Sequence, residues 1–171
     1  MPCLAGSLTD VDDDLVPVGA ESLRPLVGRW AGEGTGRLAG RPPFRYREEA
    51  TFTATGRPFL AYRQQTWSAV DGTPLHGEVG YLRATGLGLE LVVAQPTGIA
   101  EAHVGVWSGR TLAFRPAGVL VTATARAVRV VERSFSIEDG GSVLRVVVRL
   151  GVGDEPVADH LDAVLRRDPA V

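Results

Sequence analysis

The sequence predicts an all-β domain, built as a single antiparallel up-and-down β-barrel of about ten strands. Polar and apolar residues alternate with a period of two, which is typical of strands with one buried face. Turn signals separate these runs at intervals of roughly 8–15 residues. Several turns contain Asp-Gly or Gly-Gly pairs, as at Asp71-Gly72 and Asp139-Gly140-Gly141, which supply the positive φ of tight hairpins. The predicted strands cover residues 28–37, 43–54, 58–69, 74–85, 88–95, 98–107, 110–116, 127–137 and 142–151.

The number of these runs favours a closed sheet. No helical segment is long enough to cover a flat sheet of this size, and closure removes the unpaired edges. A barrel of about ten strands is too wide for side chains alone to fill, so it leaves room for a ligand. The segment 156–167 fits a helical stripe and a closing last strand equally well, and its periodicity does not decide between them.

The barrel is expected to occupy residues 22–171, after an acidic tail. Residues 1–21 lack periodicity, which predicts a flexible lead-in. Ser22 is predicted to cap one short helical turn that ends at Leu26.

Composition excludes several classes of function. The net charge of -2 indicates no basic face for nucleic acid. No apolar run approaches the ~18 residues of a membrane span. The one cysteine, Cys3, cannot form an internal disulfide, which favours a reducing compartment and hence the cytoplasm.

Alternation also assigns the strand faces. Arg145 and Arg149 are predicted to point outward, between inward-facing Leu144, Val146, Val148 and Leu150. Gln95 shares the inner face of its strand with Leu89, Leu91 and Val93. In 98–107 the alanines and valines are taken as the inner face, so Glu101 and His103 are expected to face solvent.

Glycines mark one face of the first predicted strand, where Gly28, Trp30, Gly32 and Gly34 follow one another at alternate positions. Glycine weakens a strand, and it often marks the close approach of another group. Two interpretations are equally favoured, a crowded end of the barrel and a pocket wall cleared for a ligand.

The chain has three histidines, and the residues alone leave a metal-binding role open for His160. It lies beside Asp159 and Leu161 in the segment of uncertain periodicity. Paired catalytic carboxylates are not predicted, because neighbours such as Glu48 and Glu49 point to opposite faces of a strand.

Taken together, several motifs resemble those of one known family. They are Gly28-x-Trp30-x-Gly32-x-Gly34, Pro74-Leu75-His76, Ala94-Gln95-Pro96-Thr97-Gly98 and Asp159-His160-Leu161, in the family's order over residues 24–167. The sequence is similar to the nitrobindins, small heme-binding barrels with a lipocalin-like or fatty-acid-binding-protein-like fold.

The resemblance implies one ferric heme b per chain, with His160 as the axial ligand of the iron and as the catalytic residue. It implies that His76, Leu75, Gln95 and Leu150 line the heme cavity, and it counts Gly28, Trp30, Gly32 and Gly34 among the cofactor-binding residues. The implied activities are nitric oxide binding and the isomerisation of peroxynitrite to nitrate, and a homodimer is one possible assembly. For this role His160 must be neutral, with its second ring nitrogen bound to a carbonyl or a carboxylate.

One loop departs from the family pattern. Relatives carry an aromatic-Pro-Thr stretch where this chain has residues 37–41, and Gly40 stands at the position of the threonine. We therefore expect a different loop at the mouth of the cavity. A second function also stays open, a non-enzymatic carrier of a fatty acid or another apolar molecule, which would need an inward-facing arginine, with a tyrosine, to hold a carboxylate. A third is a relative that has lost heme and serves as an interaction module.

Overall fold

The computed structural model describes residues 19–169, which form ten strands and two short 3₁₀ helices. The strands are β1 (Gly28–Gly36), β2 (Phe44–Arg57), β3 (Phe59–Ser68), β4 (Pro74–Thr85), β5 (Gly88–Gln95), β6 (Ile99–Ser108), β7 (Thr111–Val121), β8 (Val128–Glu138), β9 (Val143–Val152) and β10 (Ala158–Arg167). The 3₁₀ helices are Ala20–Leu26 and Asp139–Gly141. Residues 1–18 of the predicted acidic tail, including Cys3, lie outside the described residues.

Each strand is antiparallel to its neighbour, and β1 pairs with both β2 and β10, so the sheet closes on itself. This confirms the predicted up-and-down barrel of about ten strands. No helix within residues 19–169 is long and apolar enough to span a bilayer.

The ambiguous C-terminal segment is the closing strand, β10. Ala163 and Leu165 are buried inside the barrel, whereas Val164 between them is 48% exposed. This is the period of two of a strand, because a helical stripe would have buried Val164 beside Leu165. β10 also gives β1 the second hydrogen-bonded neighbour that closure requires.

Strand β7 extends five residues beyond its predicted end at residue 116. Pro116, at that predicted end, cannot donate a ladder hydrogen bond. In the structure β7 pairs with β8 only over Thr111–Phe114, and a register shift in β6 lies opposite Pro116. The proline is tolerated because the second half of β7 behaves as an edge.

One end of the barrel, here called the closed end, is sealed by the first 3₁₀ helix. Leu23 and Leu26 are fully buried there, together with Trp30 of β1. The indole N–H of Trp30 donates to the carbonyl of Leu26 at 2.8 Å. Ser22 does not cap this helix as predicted, since it lies inside it and its hydroxyl donates back to the carbonyl of Gly19.

The glycines of β1 lie against atoms that leave no room for a side chain. A Cβ on Gly32 would come within 2.1 Å of the carbonyl oxygen of Val164 on β10, and one on Gly34 within 2.4 Å of the Tyr46 ring. The structure thus supports the crowded interpretation over a cleared pocket wall. These glycines let β1 and its neighbours approach closely.

Arg167 of β10 connects this last strand to the first 3₁₀ helix at the closed end. Its guanidinium lies 4.1 Å from the centre of the Trp30 ring. The same group donates to the carbonyl of Gly141 at 3.1 Å, and also to the carbonyls of Val27 and Pro25. One side chain thereby connects three separate segments of the chain.

We expect Arg167→Ala to lower the free energy of unfolding by about 2 kcal/mol, because charged hydrogen bonds and a cation–π contact are lost together. Chemical denaturation would measure this change. Arg166→Ala, on the exposed outer face next to it, is the control and should change stability by less than about 0.5 kcal/mol. Equal effects of the two substitutions would contradict this account.

Candidate functional site

His160 lies at an irregularity of β10, at the barrel end opposite the closed end. The pairing of β10 with β9 shifts register between Asp159 and Leu161, which leaves His160 outside the regular ladder. A bulge of this kind re-aims a side chain. Here it places the imidazole beyond the end of β1, next to Arg37.

Two reciprocal hydrogen bonds hold His160 against Arg37. The backbone N–H of Arg37 donates to the carbonyl of His160 at 2.7 Å. The Nδ1 atom of His160 lies 2.7 Å from the carbonyl oxygen of Arg37. Because a carbonyl oxygen only accepts, Nδ1 carries the proton, and the lone pair is on Nε2. This bond fixes the tautomer in which Nε2 is able to bind a metal.

The surroundings of His160 favour its neutral form. Burial lowers the pKa of His160, and the positive charge of Arg126 lowers it further, although the hydrogen bond to Arg37 acts in the opposite direction. A neutral imidazole is the form that ligates a metal. The tautomer and the charge state therefore both suit a ligand at Nε2.

An apolar wall stands beside His160. It contains the buried side chains of Ile99, Val128, Val131 and Val148, with the half-buried Leu150 and Leu161 packed against them. Leu150 lies opposite Ala158 in the β9–β10 ladder, and Ala158 is close to His160 in the sequence. This end of the barrel, opposite the closed end, is here called the open end.

The other residues expected to line the cavity lie at different depths. His76 is half-buried near the start of β4, where its Nε2 lies 3.8 Å from a carboxylate oxygen of Glu78. Leu75 is 47% exposed at the start of β4. Gln95 is half-buried at the end of β5, where its amide donates to Glu101.

The signature residues of β1 take a different place. Gly28 and Trp30 lie at the closed end, and Trp30 is fully buried there. Gly32 and Gly34 are packed against β10 and Tyr46. Their positions account for packing of the barrel, and their contact with a bound group stays a prediction, as it does for His160, His76, Leu75, Gln95 and Leu150.

Between the two apolar ends the barrel contains a group of buried polar side chains, here called the interior cluster: Tyr62, Glu78, Glu101, His103 and Arg133. Arg133 of β8 binds Glu78 through two hydrogen bonds of 2.8 Å. It binds Glu101 through two more, of 2.9 and 3.0 Å. The Tyr62 hydroxyl donates to Glu78 at 2.7 Å, and His103 Nε2 lies 2.8 Å from Glu101.

The interior cluster corrects the assignment of faces in β6. Glu101 and His103 were expected to face solvent, but each is only 2% exposed and points inward. The outer face of β6 instead carries Ala102, which is exposed. Residue polarity misled the prediction because Glu101 is compensated inside the barrel by Arg133, and a buried charge with a partner does not need solvent.

Arg133 keeps the carboxylates of the cluster ionised. Burial alone would raise the pKa values of Glu78 and Glu101, but the charge of Arg133 and its hydrogen bonds hold both below their usual range. Glu48, on the inner face of β2, has no such bond to Arg133. Burial raises the pKa of Glu48 to about 7, and the negative charge of Glu78 adds to the rise.

Sequence reasoning missed these inward-facing charges, although a signal was available. Glu48 alternates with Tyr46, Ala50 and Phe52, and Arg133 alternates with Val131, Phe135 and Ile137. A charged residue in the apolar register of two well-separated strands is a signal for a buried ion pair.

The fold and the site define a ligand-binding β-barrel that presents one neutral imidazole at its open end. A family profile described as the THAP4-like, heme-binding beta-barrel domain matches residues 20–167. The chain belongs to this family.

Relatives cover nearly the whole chain. Peroxynitrite isomerase 2 of Mycobacterium avium (strain 104) is 43% identical over 164 residues, which cover 93% of this chain and 98% of that protein. Peroxynitrite isomerase 1 of Mycobacterium tuberculosis (strain ATCC 25177 / H37Ra) is 42% identical over 162 residues, covering 90% and 97%. The crystal structure of Rv2717c from M. tuberculosis superposes with a TM-score of 0.79 at 40% identity, covering 91% of this chain and 99% of that one.

The residues at the open end fit a heme. A porphyrin is a flat apolar ligand, and the wall beside His160 is aliphatic. Its iron takes an axial nitrogen, and Nε2 of His160 is the nitrogen left without a proton. Among residues 19–169 no group of three or more histidine, cysteine or acidic side chains is placed to hold a metal ion.

The buried carboxyl of Glu48 should leave a signature in the pH dependence of stability. Its pKa of about 7 lies above that of an unfolded glutamate, about 4.3. The folded protein therefore keeps this proton while the unfolded chain loses it, and stability falls as pH rises from about 4.3 to 7. We expect Glu48→Gln to remove this contribution. As pH rises across that range, the free energy of unfolding of the variant should increase relative to that of the wild type by up to about 3 kcal/mol.

Urea unfolding at several pH values would measure the difference between the two proteins. Glu49→Gln is the control, because Glu49 points outward beside Arg29 and its removal leaves Glu48 in place. A difference between wild type and Glu48→Gln that does not change with pH would contradict a raised pKa.

Proposed function

We propose that the protein binds one heme b through Nε2 of His160, binds nitric oxide, and isomerises peroxynitrite to nitrate. The observation that carries this proposal is the bond from Nδ1 of His160 to the carbonyl of Arg37, which leaves Nε2 as a fixed donor at the open end. The names of the relatives, peroxynitrite isomerases 1 and 2, supply the reaction.

The chain's own contribution to this chemistry is positional. When bound, the heme supplies an iron with a free coordination position for a small ligand. The carbonyl of Arg37 holds the imidazole in one orientation, and a hydrogen bond of this kind also raises the basicity of the ligand. The aliphatic wall with Leu150 excludes water from the adjacent face.

The reaction needs no proton donor or acceptor from the protein. Peroxynitrite and nitrate have the same atoms and the same charge, so isomerisation consumes no proton. Consistent with this, Glu78 and Glu101 are committed to Arg133 and provide no free acid–base pair. The exposed Arg126, whose charge acts on His160, is a cation suited to a propionate of the heme or to the anionic substrate.

The structure gives little support to a fatty-acid carrier. Arg145 and Arg149 point outward, as predicted, and pair with Asp162 and Glu132. An inward-facing arginine with a tyrosine does exist, as Arg133 and Tyr62. However, both already bind the carboxylate of Glu78, so neither is available in the way that a carrier needs.

Hemin titration of the wild type beside His160→Ala tests the proposal. We expect a Soret band that saturates at one hemin per chain for the wild type, and affinity at least about tenfold weaker with a shifted band for the variant, because its axial bond is lost. Asp159→Ala, which removes an exposed neighbour on the same strand, is the control and should bind like the wild type. Identical spectra for wild type and His160→Ala would remove the axial role, and no Soret band in any variant would favour the interaction module.

We also propose that the protein is a cytoplasmic homodimer. The single cysteine fits a reducing compartment. The outer faces of β4 and β5 carry Val79, Tyr81 and Val92, which are 55%, 52% and 48% exposed. Tyr81 lies directly opposite Val92 in the ladder, so these side chains form one apolar patch. An exposed apolar patch of this kind suits a two-fold interface, in which the same surface of each copy is buried.

Val92→Glu should convert the dimer to a monomer, because the charge would be buried without a partner at the interface. Size-exclusion chromatography with light scattering would measure the mass. Val164→Glu places the same charge on β10 at a residue of equal exposure and should leave the dimer intact. A wild-type protein that is already monomeric at high concentration would contradict the interface.

A further inference from the structure

The guanidinium of Arg133 is arranged as a receptor for a carboxylate. Its side chain is 5% exposed, and it donates through all three nitrogens, twice to Glu78 and twice to Glu101. An arginine has five N–H donors, so four of them are already used. The bidentate contact with Glu78 is the geometry with which arginine recognises a free carboxylate.

Tyr62 completes this receptor. Its hydroxyl donates to Oε1 of Glu78 at 2.7 Å, the same oxygen that Nη1 of Arg133 binds at 2.8 Å. An arginine and a tyrosine thus converge on one carboxylate in the middle of the barrel. The carboxylate that they bind belongs to the chain itself.

We propose that Glu78 and Glu101 are specificity-determining residues that occupy Arg133 in place of a ligand, and so exclude fatty acids and other long-chain carboxylates from the barrel. An incoming carboxylate would have to displace one of them and leave it buried without its partner. Such an uncompensated buried charge is strongly unfavourable. This inference concerns anionic apolar ligands and does not depend on heme.

The neighbours of the receptor add to the exclusion. Glu101 also accepts from Gln95, and it lies 2.8 Å from Nε2 of His103, so it is held by three partners. Carboxyl groups therefore outnumber the guanidinium at the point where the head group of a fatty acid would have to sit.

The test removes the internal carboxylates and keeps the guanidinium. In the double variant Glu78→Gln/Glu101→Gln, Arg133 and Tyr62 lose their anionic partners, and a ligand carboxylate can replace them. Decanoate is the probe, and decanol, which has the same chain without the charge, is the matched ligand. Affinity is measured on the full chain by calorimetry, and ligand-dependent thermal shifts serve as a second readout.

We expect decanoate to bind the double variant at least about tenfold more tightly than the wild type, and decanol to show no such gain. Glu48→Gln, which removes a buried carboxyl that does not bond to Arg133, should behave like the wild type. Adding Arg133→Gln to the double variant should abolish the gain, because the cation that recognises the carboxylate is gone.

Each remaining outcome decides the question. If the double variant folds only in the presence of decanoate and not of decanol, the proposal is supported, since the ligand supplies the missing charge. It is overturned if the wild type binds decanoate as tightly as the double variant does. It is also overturned if the affinities for decanol and decanoate increase equally, or if decanoate neither binds the variant nor restores its folding. Hemin titration of the same proteins reports separately on the heme proposal.

Discussion

The pairing of the first strand with the last determines both the closure of the barrel and the position of His160. The β1–β10 ladder runs from Trp30 opposite Arg167 to Gly36 opposite Leu161. One residue further along each strand, the ladder continues as the two hydrogen bonds between Arg37 and His160. The tautomer of the imidazole is therefore fixed by the same seam that closes the sheet. The glycines of β1 belong to this seam, since a Cβ on Gly32 would clash with β10.

The barrel interior changes character along its axis. Aromatic and aliphatic residues fill the closed end around Trp30, the interior cluster lies in the middle, and an aliphatic wall faces the open end. Replacing buried ion pairs by apolar residues of similar volume is often neutral or favourable for stability, so stability alone does not account for the interior cluster. The interior cluster is therefore better explained by what it excludes than by stability. Its charged side chains interrupt the apolar interior and separate the packed closed end from the open end, where His160 lies.

Whether a feature of the fold could be predicted from the sequence depends on how many residues the underlying pattern covers. Alternation over eight to ten residues located nine strands, because a half-buried strand repeats every two residues. It failed where one residue breaks the period. The register shift at His160 lies within the ambiguous segment 156–167, and the second half of β7, after Pro116, was not predicted. The candidate ligand therefore came from the resemblance of short motifs and not from periodicity.

The faces of the strands were predictable wherever polarity and burial agree, as at Arg145 and Arg149. They were not predictable at Glu101 and His103, because the partner that permits their burial, Arg133, lies on a strand distant in sequence. A charged residue is predicted to face solvent when its oppositely charged partner cannot be recognised in the sequence. Only the three-dimensional register of β4, β6 and β8 brings Glu78, Glu101 and Arg133 together.

The backbone conformation of residues 37–41 gives a physical reason for the departure of this loop from the family pattern. Gly40 has a φ of +72°, and Arg41 donates to the carbonyl of Leu38 at 3.1 Å to form a tight turn. A β-branched threonine is strained at positive φ, so a loop with threonine there must follow another path. His160, however, is held by the backbone carbonyl of Arg37, which every residue type provides. The loop can therefore change its side chains, and with them the mouth of the barrel, without releasing the bond that orients the imidazole.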